Sequence, residues 1–179
     1  WARKMGSRSE IVVIPNAVDF KLFSNENSIK RESNEINLIT SSRLVKKNAV
    51  EDIIDSLGYL PENIKLLILG TGKLEKYLKN KVNKLSLSQR VTFLGYIPHK
   101  DMPKYLHESD IFIRPSLSEG FGNSFIEAMA ARIPVIATPV GGIVDFLKDG
   151  ETGLFCEVKN PSSIAQKVEK LLKDKESHD

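Results

Sequence analysis

With 179 residues, 41% of them hydrophobic and 27% charged, the chain has the size and composition of one globular domain with a buried core. A formal charge of +3 carries no argument for nucleic acid without a concentrated basic patch, and no apolar run approaches the ~20 residues that span a bilayer. The single cysteine, Cys156, excludes an internal disulfide and a multi-cysteine metal site, and it is compatible with a reducing compartment.

The chain opens on basic residues in 1–10, with no apolar stretch of signal-peptide length behind them. Residues 11–14 are a β-branched run ended by Pro15 and Asn16, which predicts a short strand and a turn. Residues 24–35 are rich in Asn, Ser and Glu and predict a surface connection. Residues 1–35 are therefore expected to be a lead-in and interdomain segment, and residues 36–175 the domain proper.

From Ile36 onward apolar runs alternate with helical periodicity. Strands are predicted at 36–40, 66–69, 91–94, 111–113 and 135–137, with a weak one near 153–155. Val50, Ile53, Ile54 and Leu57 share one helical face, and Leu74, Tyr77, Leu78, Lys81 and Val82 another. The lysines between Lys73 and Lys84 read as the solvated side of that second helix. Short helices are expected at 102–108 and 143–147, and a longer one through the segment that follows Gly122 to about Ala131. The last helix has Asn160 as N-cap, Pro161 at its first position and Ile164, Val168, Leu171 and Leu172 as its buried stripe. Strands separated by helices of this length imply right-handed crossovers, hence an α/β, Rossmann-like, doubly wound and mostly parallel sheet. Ligands of such sheets bind outside the carboxyl ends of the strands.

Each loop of chemical interest follows a strand. Arg43 and Lys47 stand four apart after the first, suited to gripping a diphosphate through a planar fork and a point charge, with Lys46 as a competitor for the second role. Gly70, Thr71 and Gly72 follow the second strand, but Glu75 stands where a dinucleotide fingerprint needs glycine, so a nicotinamide cofactor is poorly supported. Close backbone approach to a ligand is expected at these glycines. Gly95, Tyr96, Ile97, Pro98 and His99 follow the third strand. His99, with no Ser or Cys nucleophile pattern near it, reads as a surface residue. No His, Asp or Glu cluster has metal-ligand spacing.

The central stretch runs Glu119, Gly120, Phe121, Gly122, Asn123, Ser124, Phe125, Ile126, Glu127, Ala128, Met129. A glycine turn entering a helix presents free N–H groups and a positive dipole end to phosphate or sugar oxygens. Two readings of the acids stand side by side. Ser124 and Glu127, three apart, form a capping box with Glu127 in the first helical turn, and Glu119 is an acidic loop residue beside a helix dipole. Alternatively, Glu119, in the loop, accepts hydrogen bonds from the hydroxyls of a ligand.

The Glu119 to Glu127 spacing resembles the paired-glutamate signature of the family 4 retaining glycosyltransferases, enzymes of the two-domain GT-B architecture. Further segments occur in that family's order: Pro15 to Asp19, Arg43, Gly95, Gly141 with Gly142, and 150–155, so that the resemblance covers about 11–172. It departs from the pattern at Ala17, Ser42, Asn48 and Ala49, where glycine is usual, and in an Arg43-to-lysine spacing one residue shorter than usual. The resemblance implies the C-terminal, donor-binding half of such an enzyme. Arg43 and Lys47 would neutralise the diphosphate of a nucleotide sugar, most readily a UDP- or GDP-sugar, without a bound metal or other cofactor. Tyr96 and Ile97 would meet the base and Glu127 the ribose. Glu119, as the catalytic carboxylate, would act beside the transferred sugar with Gly120, Phe121, Gly122 and Asn123. The acceptor would be held by an N-terminal domain that the chain is too short to contain. The setting expected is cytoplasmic, with peripheral attachment to the inner face of the membrane left open. Two alternatives are a non-catalytic nucleotide-sugar-binding module and a GT-B nucleotide-sugar epimerase.

Overall fold

The computed structural model describes residues 4–6, 9, 10, 12, 16–24 and 34–176, with side chains to 173. The strand expected at 11–14, apart from Val12, its Pro15 turn and residues 25–33 of the connection lie outside the described residues. Among the described residues, six strands form one wholly parallel sheet: β1 (Ile36–Ser41), β2 (Ile64–Leu69), β3 (Val91–Gly95), β4 (Ile111–Arg114), β5 (Val135–Ala137) and β6 (Leu154–Phe155). Their order is β3-β2-β1-β4-β5-β6. The helices are α1 (Phe20–Phe23), α2 (Val50–Ser56), α3 (Glu75–Lys84), α4 (Met102–His107), α5 (Asn123–Ala130) and α6 (Pro161–Glu176).

Successive strand residues point to opposite faces, and both faces are covered, which is why the strands read as continuous apolar runs. Leu38, Ile111, Ile113 and Ile136 join the apolar stripes of α2, α3 and α6 in one core. Ile39, Phe112, Val135 and Ala137 join α4 and α5 in the other. Phe23 of α1 is fully buried in that second core, so this part of the lead-in packs against α5.

Helix α6 starts as its sequence predicts, with Asn160 Oδ1 accepting from the Ser163 amide at 3.1 Å and Pro161 as its first residue. The start of α5 differs from the expected capping box. Gly122, in the left-handed region at φ 81°, makes the turn, so the helix begins at Asn123. Ser124 is then inside the helix and accepts from Arg114, while Glu127 lies in the second turn rather than the first. The short helix expected at 143–147 is a 3-10 turn over Gly141–Asp145.

Helices α2 and α3 are tied by Lys81, whose Nζ lies 2.7 Å from both Glu51 Oε1 and Asp55 Oδ2, and by Tyr77, whose hydroxyl donates to Glu51 at 2.6 Å. The bonds from Lys81 and then Tyr77 hold the Glu51 carboxyl below its ordinary range. Burial pulls Lys81 down, but its two carboxylate partners outweigh that and raise it. A depressed carboxylate contributes stability that is present above its unfolded pKa, about 4.3, and is lost as pH falls through the lower folded value. Glu51 is 38% exposed, so the contribution is screened. Lys81→Met is expected to cost about 0.5–1 kcal/mol at neutral pH. Urea denaturation at several pH values checks this, and the gap between variant and parent should shrink below about pH 4.

Candidate functional site

The strand order turns back at β1 and β4, which are neighbours in the sheet though two strands, β2 and β3, separate their places in the chain. Such a switch point opens a crevice at the carboxyl edge of a parallel sheet. One wall is the loop after β1 and the other the loop after β4, joined where the Leu117 amide donates to the Lys47 carbonyl at 2.7 Å.

Arg43, Lys46 and Lys47 are all exposed. Lys46 lines a separate cavity of about 290 Å³ with Glu51, Asp52, Leu74 and Lys159, on the α2–α3 side. The backbone of Lys47 abuts the β4 loop, and the cavity beside Lys46 includes Leu117 of that same loop. Arg43 also borders a cavity of about 210 Å³ across the ends of β1, β2 and β3, with Gly70, Thr71, Tyr96, Ile97 and Met102. Tyr96 is 75% exposed and Ile97 half-buried, so this cavity brings together residues expected to grip a diphosphate and a base.

The two glycines after β2 let two loops meet closely. A Cβ on Gly70, at φ 117°, would stand 2.0 Å from the Ser42 carbonyl oxygen, and one on Gly72 would stand 2.4 Å from that of Leu44. Close approach there is between two loops, sealed by the Leu44 amide donating to the Thr71 carbonyl at 2.9 Å. The same device recurs across the crevice. Gly141, at φ 57°, has no room for a Cβ, which would stand 1.8 Å from the Glu119 carbonyl oxygen, and the Gly142 amide donates to the Gly120 carbonyl at 3.0 Å.

Glu119 is held on both carboxylate oxygens, by Arg114 Nη2 and by the Gly120 amide at 3.0 Å, and its side chain is only 10% exposed. Gly120 is exposed, Phe121 packs against Phe146 with ring centroids 5.2 Å apart, and Gly122 is half-buried. Asn123 is exposed, its Oδ1 accepting from Asn16 at 3.1 Å. Glu127 is 8% exposed and its Oε1 lies 3.1 Å from His99 Nε2. His99 in turn meets the ring of Phe23 edge-on at 5.3 Å. His99 is exposed, as its surface reading expects, and the two contacts place it between the lead-in helix and a motif glutamate.

Two more side chains join the site without having been expected there. Arg114 closes β4 and donates to Glu119, to Ser124 Oγ at 2.8 Å and to Asn48 Oδ1 at 3.4 Å. Burial pulls its guanidinium below the ordinary arginine range, and Glu119 works against that pull. Asn48 donates to the Arg43 carbonyl at 2.7 Å. An arginine ending an apolar strand just before Pro115 is the one local signal that could have marked Arg114. A larger cavity, about 510 Å³, opens at the amino ends of β5 and β6 beside Arg132, Pro134 and Gly153, away from this edge. Among the described residues no group of three His, Cys, Asp or Glu is placed to hold a metal ion, and no helix is long and apolar enough to cross a membrane.

A parallel sheet whose switch-point loops carry cations on one wall and paired carboxylates on the other is a Rossmann-like ligand-binding domain, of the kind that forms the C-terminal half of GT-B enzymes. The chain belongs to the family described as Glycosyl transferases group 1, whose profile matches residues 23–179. It is 35% identical over 149 residues to the N-acetyl-alpha-D-glucosaminyl L-malate synthase of Bacillus anthracis, covering 82% of this chain and 38% of that protein. An uncharacterized glycosyltransferase of Methanocaldococcus jannaschii is 33% identical, again over 82% of this chain and 38% of its own length. The chain thus spans less than half of the curated relatives it matches. Among solved structures, Anabaena HepE in complex with UDP and glucose superimposes with a TM-score of 0.87 and 25% identity, over 97% of this chain and 51% of that one. The C-terminal domain of a Francisella tularensis group 1 glycosyl transferase, LpcC, gives a TM-score of 0.78 at 26% identity, over 89% of this chain and 90% of that one.

Since a Cβ on Gly141 would run into the Glu119 backbone, Gly141→Ala is expected to lower stability by roughly 2–4 kcal/mol, through a steric clash and a left-handed backbone together. Thermal or urea unfolding reads this directly, and an unchanged midpoint would show that the two loops do not meet.

Proposed function

We propose that this chain is the donor-binding half of a retaining glycosyltransferase. It holds a nucleoside-diphosphate sugar, a UDP- or GDP-sugar, at the carboxyl edge, and the sugar passes to an acceptor held by a separate N-terminal domain. The observation that carries this reading is the juxtaposition, at one switch point, of the Arg43–Lys47 loop with the Glu119–Glu127 segment. Tyr96 and Ile97 meet the base at the outer cavity, and Glu127 accepts from the ribose. Arg43 forks onto the diphosphate and Lys47 adds a point charge, which together offset the charge of the leaving group without a metal ion.

Glu119 is the carboxylate beside the transferred sugar. Its two oxygens are each engaged once, and an ionised carboxylate offers about four lone-pair sites, so acceptor capacity is left for sugar hydroxyls. With Gly120, Phe121, Gly122 and Asn123 it orients the ring and offsets positive charge at the anomeric carbon as the diphosphate leaves. The complexes of HepE with UDP and with UDP-glucose support the choice of ligand class.

Calorimetric titration of the chain with UDP, GDP, ADP and their sugar conjugates, without added metal, tests the reading. One base should give saturable binding, and Arg43→Ala with Lys47→Ala should weaken it by roughly 100-fold, the scale of losing two charge-assisted bonds. Binding undiminished in the double variant would sink the assignment of the phosphate site.

A further inference from the structure

We propose that Arg114 is a positioning residue for the donor sugar: it sets the Glu119 carboxylate in place. This rests on the donor-site reading above and goes beyond it. The end of β4 is an apolar setting, and a hydrophobic residue following Ile111, Phe112 and Ile113 would fill it without burying a charge. Arg114 instead keeps its side chain only 11% exposed, with a buried Nε that has no hydrogen-bond partner. That arrangement is poor for stability alone.

A contrast within the same fold sharpens the point. Arg90, also buried, donates to the carbonyls of Leu60, Pro61 and Ile64, and so ties down a backbone turn at the amino side of β3. Arg114 donates to three side chains, one from each segment that borders the crevice. They are Glu119 of the motif loop, Ser124 of the first turn of α5, and Asn48, which itself holds the Arg43 carbonyl. The ring of Phe125, 5.5 Å from the guanidinium carbon, backs the group on one side.

Both motif glutamates attract Arg114, and Arg43 is near enough to repel it. The guanidinium therefore lies among the charges that surround the proposed diphosphate and sugar. With Arg114 on one oxygen and the Gly120 amide on the other, the Glu119 carboxylate has a fixed plane, and only its remaining lone pairs can meet a ligand. A lysine cannot replace this, because a single ammonium lacks the fork that spans Glu119 and Ser124.

The test compares UDP with UDP-glucose and UDP-N-acetylglucosamine, or the guanosine series if the chain selects that base, by calorimetry on the parent, Arg114→Met, Arg114→Lys, Glu119→Gln and the Arg114→Met/Glu119→Gln pair. Arg114→Met and Glu119→Gln should each weaken nucleotide-sugar binding about tenfold while leaving nucleoside-diphosphate binding within about threefold. The double variant should be no weaker than either single one, and Arg114→Lys should fall between parent and Arg114→Met. Melting temperatures are read alongside. Should Arg114→Met fail to fold, the double variant, which buries no unpaired carboxylate, and Arg114→Lys carry the comparison. Parent-like sugar binding in the Arg114 variants, equal loss of diphosphate and sugar conjugate, or additive losses in the double variant would each overturn the inference. A parent that binds no nucleoside diphosphate removes the donor-site reading, and this inference with it.

Discussion

The parallel pairing of β1 with β4 is the constraint from which the site follows. Leu38 lies opposite Ile111 and Ile39 opposite Phe112, and the junction is reinforced at its amino end, where the Asp110 amide donates to the Asn37 carbonyl at 2.8 Å and Asp110 accepts from the Asn37 amide at 2.9 Å. Two strands that turn their crossovers to opposite sides leave a gap between the loops at their carboxyl ends. Everything proposed to touch a ligand lies on the rim of that gap or, for Tyr96 and Ile97 after β3, two strands out from it.

The rim is built from loops packed on one another, and glycine makes this contact close. Gly70 and Gly72 let the β2 loop lie against Ser42 and Leu44, and Gly141 and Gly142 let the β5 loop lie against Glu119 and Gly120. Backbone against backbone leaves little freedom in either loop. A rigid rim of this kind suits a reaction in which positioning and fixed dipoles supply most of the rate.

Within the rim the charges are arranged in a connected set. Arg114 links Glu119 to the first turn of α5 and to Asn48, and Asn48 links onward to the Arg43 carbonyl. On the far side of α5, Glu127 is bonded to His99, and His99 rests on Phe23 of the lead-in. The segment before the sheet is thus coupled through a ring contact and one hydrogen bond to the carboxylate proposed to hold the ribose. Cys156 has no part in this network: it is buried, donates to the Ala137 carbonyl, and burial pushes its thiol up to about 12.

Local pattern was sufficient wherever the information sits within about ten residues. The apolar runs at 36–40, 66–69, 91–94, 111–113, 135–137 and 153–155 all became strands, and Asn160 with Pro161 starts α6, because periodicity and capping are satisfied inside one element. The same locality misled at Ser124 and Glu127, whose spacing suits a capping box but whose side chains are claimed by Arg114 and His99. Those partners lie 10 and 28 residues away, and Asn48 lies 66 residues from Arg114. The two longer-range pairs meet only after the crossovers have set the strand order, and the Arg114–Ser124 pair needs the full turn from β4 into α5. Residue types and spacings told which groups could do chemistry at a carboxyl edge. Which of them share a crevice, and which arginine orients a carboxylate while another ties a turn, was decided by long-range strand pairing, and no short stretch of the chain encodes that.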